Sequence, residues 1–234
     1  MNVDICIPTK RGVDPQLICS LKEDTSGEIH ISTTVPLVLA RKELIGKVRS
    51  DIFLFIDDDI KYCKGLIQTL NSYLSENVGA VHGFATPYGL GERWDKFFKE
   101  CRPKSTIYNP ERVMTSNTLI RTSLVRDWKP PLNISGCEDW HLTSHIREQG
   151  YLCLVVSSGA MHKASWSKVR RSAIWFGGAY VSMHGSFPTK FFFKRLGAIL
   201  KYIIKLPLTP FLSFYTIFQN TFVLYGVLKR GLIR

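Results

Sequence analysis

The stretch "DIFLFIDDDI" (residues 51–60) joins five consecutive apolar residues to three consecutive aspartates. Its apolar part, 52–56, is rich in β-branched and aromatic residues and shows no alternation of apolar and polar positions. This pattern is typical of a strand covered on both faces of a sheet. Three adjacent carboxylates repel one another, and partial burial adds to the cost of keeping them ionised. The stretch therefore predicts a positive group beside the aspartates.

Two kinds of positive group are open for this position. Asp59 is a possible cap for a helix through "KGLIQTLNSYL" (64–74), because the free N–H groups of a helix N-terminus favour an anion. A divalent cation is the alternative, since oxygen ligands suit it and it would in turn bind a diphosphate. A cap explains one aspartate and leaves two unexplained, so we favour the metal.

Strand and helix patterns alternate along the chain. Strands are predicted at 4–9, 28–33, 52–56, 78–86 and 151–156, a helix at 38–49, and a long excursion over the sheet at 87–113. Alternation of this kind predicts an α/β fold with a mostly parallel central sheet flanked by helices. Ligands of such sheets bind at the carboxyl ends of the strands, which is where Pro8, Thr9 and the aspartates fall.

Composition indicates one catalytic domain with an appendage. The 234 residues are 45% hydrophobic, enough for one sizeable core. The six cysteines are scattered without a Cys-x-x-Cys pair, so neither a zinc site nor a disulfide framework is expected. The N-terminal residues lack the basic and apolar regions of a signal peptide, which predicts a cytoplasmic location. We expect a catalytic domain at 1–186 and a helical membrane-association segment at 187–234.

The positive charge is concentrated at the C-terminal end of the chain. Residues 1–149 hold 19 basic and 19 acidic residues, whereas 150–234 hold the remaining 12 Lys and Arg and no Asp or Glu. Because these basic residues are interleaved with "FFFKRLGAILKYIIKLPLTPFLSFYTIF", the segment is too apolar for a nucleic-acid arm. An anionic membrane surface is the better partner.

The C-terminal segment allows two modes of membrane attachment. Residues 206–228 contain no charge and are long enough to span a bilayer. Pro207, Pro210 and the adjacent amides Gln219 and Asn220 disfavour a span. We therefore expect a peripheral or monotopic attachment that lies in the plane of the membrane.

Two further segments contain polar residues that suit chemistry. "SGCEDWHLTSHIREQG" (135–150) has the signals of a helix start, and its carboxylates are either dipole partners or a general base. "SSGAMHKASWS" (157–167) follows the last strand, and its His162 is either a metal ligand or part of the polar surface.

In this order, the segments resemble one family. A strand ending in "IPTK", an Ala-Arg-Lys helix leading into "DIFLFIDDDI", a "TSNTLIRTSLV" segment, "GCEDWHL" and a histidine after the next strand are similar to the family-2 inverting glycosyltransferases with the A-type nucleotide-sugar fold. The resemblance covers about residues 3–175 and rests on the order and spacing of motifs that are individually weak.

The resemblance implies roles for particular residues. The family's Asp-x-Asp motif, matched by Asp57 and Asp59, contacts the nucleotide ribose and a metal ion, here Mn²⁺ or Mg²⁺. The family's Glu-Asp motif makes Asp139 the general base. The remaining expectations are donor contacts from Pro8, Thr9, Arg41, Asp57, Asp58, Arg170 and Arg171, a third metal ligand in His162, and acceptor or sugar contacts from Asn117, Glu138 and Trp140.

Some of these residues have an ordinary structural alternative. Arg170 and Arg171 are equally compatible with a solvated basic face. Buried packing is the commoner role of a tryptophan such as Trp140 or Trp166. The chain also departs from the family after the second strand, where "HISTTVP" (30–36) replaces an acidic turn that helps to bind the base and ribose. UDP is the default nucleotide of the expected donor, and GDP stays open because of this departure.

The expected function is metal-dependent, inverting transfer of a sugar from a UDP- or GDP-sugar. The acceptor is expected to be a hydroxyl of a lipid-linked, polyprenyl-linked or other membrane-associated glycan, at the cytoplasmic face of the membrane. Two alternatives remain. A metal-dependent nucleotidyltransferase would also use clustered aspartates, although "PTKRGVDP" (8–15) is a poor phosphate loop. A non-catalytic membrane-surface module would need only the C-terminal segment.

Overall fold

The predicted buried strand is β3, Ile52–Ile56, and it lies inside an eight-stranded sheet. The structure is a computed structural model that describes residues 1–131, 136–184 and 187–231. Leu54 and Ile56 belong to one hydrophobic cluster, and Phe53 and Phe55 belong to another. All four side chains are fully buried. Because successive side chains of a strand face opposite sides, both faces of β3 are covered, as the continuous apolar run predicts.

The sheet is mixed. Its other strands are β1 (Asp4–Pro8), β2 (Ile29–Ser32), β4 (Ile60–Lys61), β5 (Val78–Tyr88), β6 (Ile107–Tyr108), β7 (Asn117–Arg121) and β8 (Leu152–Lys163). The order is β2-β1-β3-β7-β5-β8-β4, with β6 paired to β8. The pairs β1–β2, β1–β3 and β5–β8 are parallel, and the other four described pairs are antiparallel.

The predicted fold class is confirmed, with one correction to the sheet. A central sheet flanked by helices and a C-terminal apolar helix are both present. The sheet is not mostly parallel, because β7 enters between β3 and β5 and runs antiparallel to both. The connection from β5 to β7 contains α4 and β6, and the direction in which β7 returns through the sheet is set by long-range pairing and not by a local sequence pattern.

The described residues also form eight α-helices, and some of them flank the sheet. They are α1 (Pro15–Asp24), α2 (Leu37–Lys47), α3 (Leu66–Asn71), α4 (Glu92–Glu100), α5 (Glu138–Glu148), α6 (Trp166–His184), α7 (Thr189–Ile204) and α8 (Pro210–Gly231), with a 3₁₀ turn at Thr122–Leu124. Residues of α1 and α3 pack in one cluster with β1 and β3, and residues of α2 and α5 pack in the other.

Several predicted elements end at different residues in the structure. The last strand, β8, continues to Lys163, so His162 lies on a strand and not in a loop after it. The predicted excursion at 87–113 contains the end of β5, the helix α4 and the short strand β6. Asp59 does not cap a helix, because α3 begins at Leu66 after Gly65, which adopts a φ of 82°. The alternative of a helix cap for the aspartates is therefore wrong.

The described chain forms two compact units. The first contains the sheet with α1, α2, α3 and α5, and the second contains Gly89–Phe97 together with α6, α7 and α8. The predicted domain boundary falls at Ser186, which lies outside the described residues, and it stays a prediction.

Close packing of α6 against α8 defines the second unit. A Cβ on Gly177 of α6 would overlap the backbone carbonyl of Val223, and one on Gly226 of α8 would overlap that of Ile174. Around this crossing, a small core forms from Ala173, Val181, Phe191, Val223 and Val227. Glycine at both positions lets the two backbones approach more closely than larger residues would allow.

Candidate active site

Two of the three predicted metal ligands stand at the carboxyl end of β3, and the third comes from β8. Asp57 follows β3 directly, and its backbone N–H donates to the carbonyl of Ser116 over 3.0 Å. The antiparallel pairing of β4 with β8 places His162 opposite Ile60, beside Asp59. The distance between Nε2 of His162 and Oδ1 of Asp59 is 2.9 Å.

This cluster fits a divalent cation. One ligand atom from each of Asp57, Asp59 and His162 can be chosen so that all three lie within 4.8 Å of one another. The side chains are 29%, 31% and 34% exposed, so an ion could reach them from solvent. Burial raises the pKa of the Asp57 carboxyl, and the charges of Arg41 and His162 act in the opposite direction. The two carboxylates suit Mn²⁺ or Mg²⁺, and the imidazole is a ligand that Mn²⁺ accepts more readily than Mg²⁺ does.

Asp58, between the two acidic ligands, is tied to the end of β1. The hydroxyl of Thr9 donates to Oδ2 of Asp58 and is also 3.1 Å from the carbonyl of Gly12. Pro8 is the last residue of β1 and pairs with Ser32 of β2. The structure thus brings together the two strand ends that the sequence selected as the ligand edge.

Arg41 connects the aspartates to the Glu-Asp motif. It is buried on α2, its Nη1 forms a short ion pair with Oε1 of Glu138, and its Nη2 lies 3.6 Å from Oδ1 of Asp57. Burial lowers the pKa of Arg41, and the nearby carboxylates of Asp57 and Asp139 oppose that change. A buried cation therefore lies between two motifs that are 81 residues apart in the sequence.

Asp139 is held in place by an arginine that sequence reasoning missed. Nε of Arg112 donates to Oδ2 of Asp139 over 2.6 Å, and the backbone N–H of Trp140 donates to Oδ1 over 3.0 Å. Asp139 is 5% exposed and lies in the first turn of α5, so its helix-start position and a catalytic role are compatible. No spacing in the sequence connects Arg112 to this helix, because the residue lies in the irregular segment before β7.

Several buried polar side-chain atoms of the described residues have no hydrogen-bond partner among those residues. They include Oε2 of Glu138, Oδ1 of Asn117 and Nε2 of His82. Asn117 donates from Nδ2 to the carbonyl of Gly83 over 3.0 Å, and Nδ1 of His82 lies 3.0 Å from the hydroxyl of Thr118. Unpaired buried polar groups are costly, so each of these atoms is suited to meet a ligand or a water.

The structure also places the remaining predicted contact residues. Trp140 is half-buried at the start of α5. Arg170 and Arg171 are exposed on α6, in the second unit, and the guanidinium of Arg170 lies 5.9 Å from the ring centre of Phe222. Trp166 lies in an aromatic cluster with Trp94 and Phe218. The expected contacts of these residues with a substrate stay predictions.

The end of β2 has its own polar arrangement. At this strand end, where the family that the sequence resembles has an acidic turn, the hydroxyls of Ser32 and Thr34 donate to Oε2 of Glu43 over 2.7 and 2.6 Å. Lys47 donates to the other oxygen of that carboxylate over 2.5 Å. These three interactions, with Lys47 the strongest, lower the pKa of Glu43 to about 2. A fixed carboxylate therefore stands at this strand end, although it comes from α2 and not from the turn.

No family model matches the sequence, and no curated protein matches it either. Solved structures are similar to it. The mannosyltransferase PcManGT from Pyrobaculum calidifontis, solved with GDP-Man and Mn²⁺, matches 98% of this chain and 86% of its own, with a TM-score of 0.63 and 11% identity. This likeness shows a shared fold, which is the fold class that the sequence predicts.

Weaker likenesses involve shorter parts of the chain. S. aureus TarS 1-349, also solved with UDP-GlcNAc, matches 75% of this chain at a TM-score of 0.49 and 13% identity. The present chain spans 65% of the length of that TarS fragment. A197 from STIV matches 69% of this chain at a TM-score of 0.46 and 18% identity. Neither likeness reaches the similarity at which a shared fold is informative.

Proposed function

We propose that this protein is a metal-dependent glycosyltransferase that moves a sugar from a nucleoside diphosphate sugar to an acceptor hydroxyl with inversion at the anomeric carbon. The observation on which the proposal rests is the cluster of Asp57, Asp59 and His162 at the carboxyl edge of the sheet. The fold shared with a mannosyltransferase supports this reaction class, and UDP or GDP is the expected nucleotide.

Asp57, Asp59 and His162 would hold the Mn²⁺ or Mg²⁺ ion, which when bound would neutralise charge on the diphosphate leaving group. Thr9 would fix Asp58 through their hydrogen bond, so that this carboxylate can orient the nucleotide. Arg41, with Glu138 and Asp57 as partners, would keep the two acidic motifs in a constant relative position. Pro8, Arg170 and Arg171 complete the proposed donor contacts.

Asp139 would accept the proton of the attacking hydroxyl. The acceptor oxygen forms a bond to C1 of the sugar while the bond from C1 to the diphosphate breaks, and a single displacement of this kind inverts the centre. Arg112 and the Trp140 N–H would orient the carboxylate before the reaction. Oε2 of Glu138 and Oδ1 of Asn117, both buried acceptors, are suited to receive hydrogen bonds from sugar hydroxyls, and Trp140 is the third proposed acceptor or sugar contact.

The acceptor is proposed to be a lipid-linked or polyprenyl-linked glycan at the cytoplasmic face of a membrane. The support is the basic, apolar C-terminal segment, which contains no acidic residue after position 148. The same segment is too apolar for nucleic acid, which is not proposed as a partner.

The test is nucleotide release from a panel of UDP- and GDP-sugars. Full-length protein is incubated with each donor, with Mn²⁺, Mg²⁺ or a chelator, and with lipid extracts as the acceptor source. We expect release of UDP or GDP from one donor, only with metal, together with a glycosylated lipid of inverted anomeric configuration. Release of the sugar 1-phosphate would instead indicate nucleotidyl transfer, and no turnover with any donor would leave only the non-catalytic alternative.

A further inference from the structure

The joint between α7 and α8 exposes an unusual amount of apolar surface. Within residues 200–212, "LKYIIKLPLTPFL", every residue except Tyr202 is exposed. We call this stretch the elbow. The apolar side chains that stand out from it are Leu200, Ile203, Ile204, Leu206, Leu208, Phe211 and Leu212, with Ile204 and Leu208 79% and 83% exposed. A run of this kind on a protein surface indicates an interaction site.

The positive charge around the elbow indicates which kind of partner it binds. Lys201 and Lys205 lie within the elbow and are exposed, and Lys190 and Lys194 are exposed earlier on α7. Since positions 150–234 contain no acidic residue, no carboxylate of this part of the chain offsets these charges. Apolar side chains flanked by lysines are complementary to an anionic bilayer, where the lysines reach lipid phosphates and the apolar groups enter the acyl boundary.

Aromatic packing holds the start of α8 in place behind the elbow. Trp94 of α4 contacts Phe211 with ring centres 4.9 Å apart and Trp166 of α6 at the same distance. Trp166 in turn contacts Phe218 at 5.2 Å. These contacts lie within the second unit, and they fix where α8 begins while leaving Leu206 and Leu208 outside the cluster.

The middle of α8 argues against a membrane span. By length and composition alone this helix could cross a bilayer, with a mean hydropathy of 1.3 over its most apolar 18 residues. Its middle, however, contains Asn220, whose Oδ1 accepts from Nη1 of Arg195 over 3.1 Å. Two residues later the guanidinium of Arg170 lies 5.9 Å from the ring centre of Phe222. A span would take both arginines into hydrocarbon, where charged groups are costly.

Glycine packing reinforces this conclusion. The contacts of Gly177 with Val223 and of Gly226 with Ile174 tie α8 to α6 along its second half. Lys168 and Arg171 are also on α6, so the partner helix of α8 is itself polar on one side. If α8 crossed a bilayer with these contacts intact, α6 and its basic side chains would have to enter the bilayer as well.

We infer that the elbow, residues 200–212, inserts into the interface of an anionic bilayer from one side, and that α8 does not cross it. Ile204 and Leu208 provide the deepest contacts, and Lys201 and Lys205 bind lipid phosphates. The inference does not depend on glycosyl transfer, because a vesicle needs no donor to bind this surface.

The experiment is co-sedimentation of the full-length protein with vesicles of phosphatidylcholine, with and without phosphatidylglycerol. The parent should bind the anionic vesicles. Ile204→Asp with Leu208→Asp should weaken this binding by at least about tenfold, since the two exposed apolar side chains that would enter the bilayer are lost. Tyr108→Asp, an exposed residue of the first unit at 67%, is the matched control and should bind as the parent does.

Charge and apolar contact are separated by a second variant. Lys201→Gln with Lys205→Gln should weaken binding to the anionic vesicles and leave weak binding to neutral ones unchanged, because the apolar groups are intact. Circular dichroism melting curves of each variant report whether the second unit still folds. Binding of the double aspartate variant at the parental level would overturn the inference.

Orientation is measured with a fluorescent label that dithionite quenches. In a chain with Cys19→Ser and Cys101→Ser, Leu208→Cys or Arg230→Cys is labelled and the protein is added to intact vesicles. Dithionite added outside should quench both labels, and the label at 208 should brighten on binding. A label at 230 that is protected from dithionite would show a span and contradict the inference. A change of oligomeric state in light scattering, without vesicle binding, would show that the elbow instead contacts a second copy.

Discussion

At the scale of single residues, we expect Asp59 to act in metal-dependent donor binding. Asp59 belongs to a cluster of like charges, and its oxygen faces His162 at 2.9 Å. Asp59→Asn keeps the size of the side chain and removes one negative charge, so the free energy of unfolding should change little. We expect the variant to lose Mn²⁺-dependent binding of the donor sugar in calorimetry. Asp51→Asn, at the other end of β3 and exposed, is the control. Parental binding by the Asp59 variant would show that the metal assignment is wrong.

Asp139 should act in the chemical step and not in donor binding. Asp139→Asn keeps an oxygen for Nε of Arg112 but cannot take up a proton at neutral pH. The turnover number should fall by at least about a hundredfold, while the donor dissociation constant stays near that of the parent. Steady-state kinetics and calorimetry measure the two quantities. Turnover close to the parental value would return Asp139 to the role of a helix-start residue.

His82 should make stability depend on pH. Burial lowers the pKa of His82 to about 4, against about 6.5 for an exposed histidine. The unfolded chain therefore binds more protons between these values, and the free energy of unfolding should fall as the pH is lowered from 6.5 to 4, by at most about 3 kcal/mol.

Removal of the imidazole checks this assignment. Chemical denaturation of His82→Gln at pH 4.5 and pH 7 should show a smaller difference between the two pH values than the parent does. His184→Gln replaces an exposed histidine of α6 and should leave the parental difference unchanged. An equal difference in the parent and in the His82 variant would contradict the shifted pKa.

At the scale of elements, strands and helices that have a local sequence pattern were predicted, and features that depend on long-range pairing were not. The bounds of β3 were predicted without error, because an apolar run that ends in charges marks both ends of a buried strand. The helix at Glu138–Glu148 followed from its start signals and from Gly150. The position of β7 between β3 and β5 was not predictable, because strand order depends on long-range pairing. The ion pair of Arg112 with Asp139 was missed for the same reason.

The two helical glycines Gly226 and Gly197 give a matched pair of substitutions. A methyl group on Gly226 would overlap the backbone of α6, whereas nothing lies within 4 Å of the corresponding point on Gly197. Gly226→Ala should lower the free energy of unfolding by about 1–3 kcal/mol through overpacking. Gly197→Ala should raise it by up to about 1 kcal/mol, since alanine favours a helix. Thermal or chemical denaturation checks both, and equal effects would contradict the close packing of α6 and α8.

For the molecule as a whole, composition identified the C-terminal segment as the part expected to contact a partner, but it did not show which of its residues are exposed. The excess of 12 positive charges after residue 149 indicated a membrane surface. Which residues of that segment are exposed was not predictable, because α7 and α8 both contain apolar residues on several sides, and only their packing selects the elbow. The partners Arg195 and Asn220, which disfavour a span, are 25 residues apart and were likewise hidden.

Donor binding and vesicle binding should be separable. The metal cluster belongs to the first unit and the elbow to the second. We expect Asp59→Asn to bind anionic vesicles like the parent, and Ile204→Asp with Leu208→Asp to bind the soluble donor like the parent. Calorimetry and co-sedimentation of the same preparations measure both. Loss of both activities in either variant would show that the two functions depend on each other.

The late position of β7 in the sequence sets an order of events during synthesis. β3 and β5 leave the ribosome first, but the strand that pairs with both of them ends at Arg121. Until that residue emerges, each nascent strand has an open hydrogen-bonding edge and uncovered apolar side chains. Open edges of this kind pair with other chains, so ribosome-stalled fragments that end before residue 117 should need chaperones to stay soluble. Synthesis of β7 therefore closes the gap between β3 and β5, and the other edge of β5 stays open until β8 emerges.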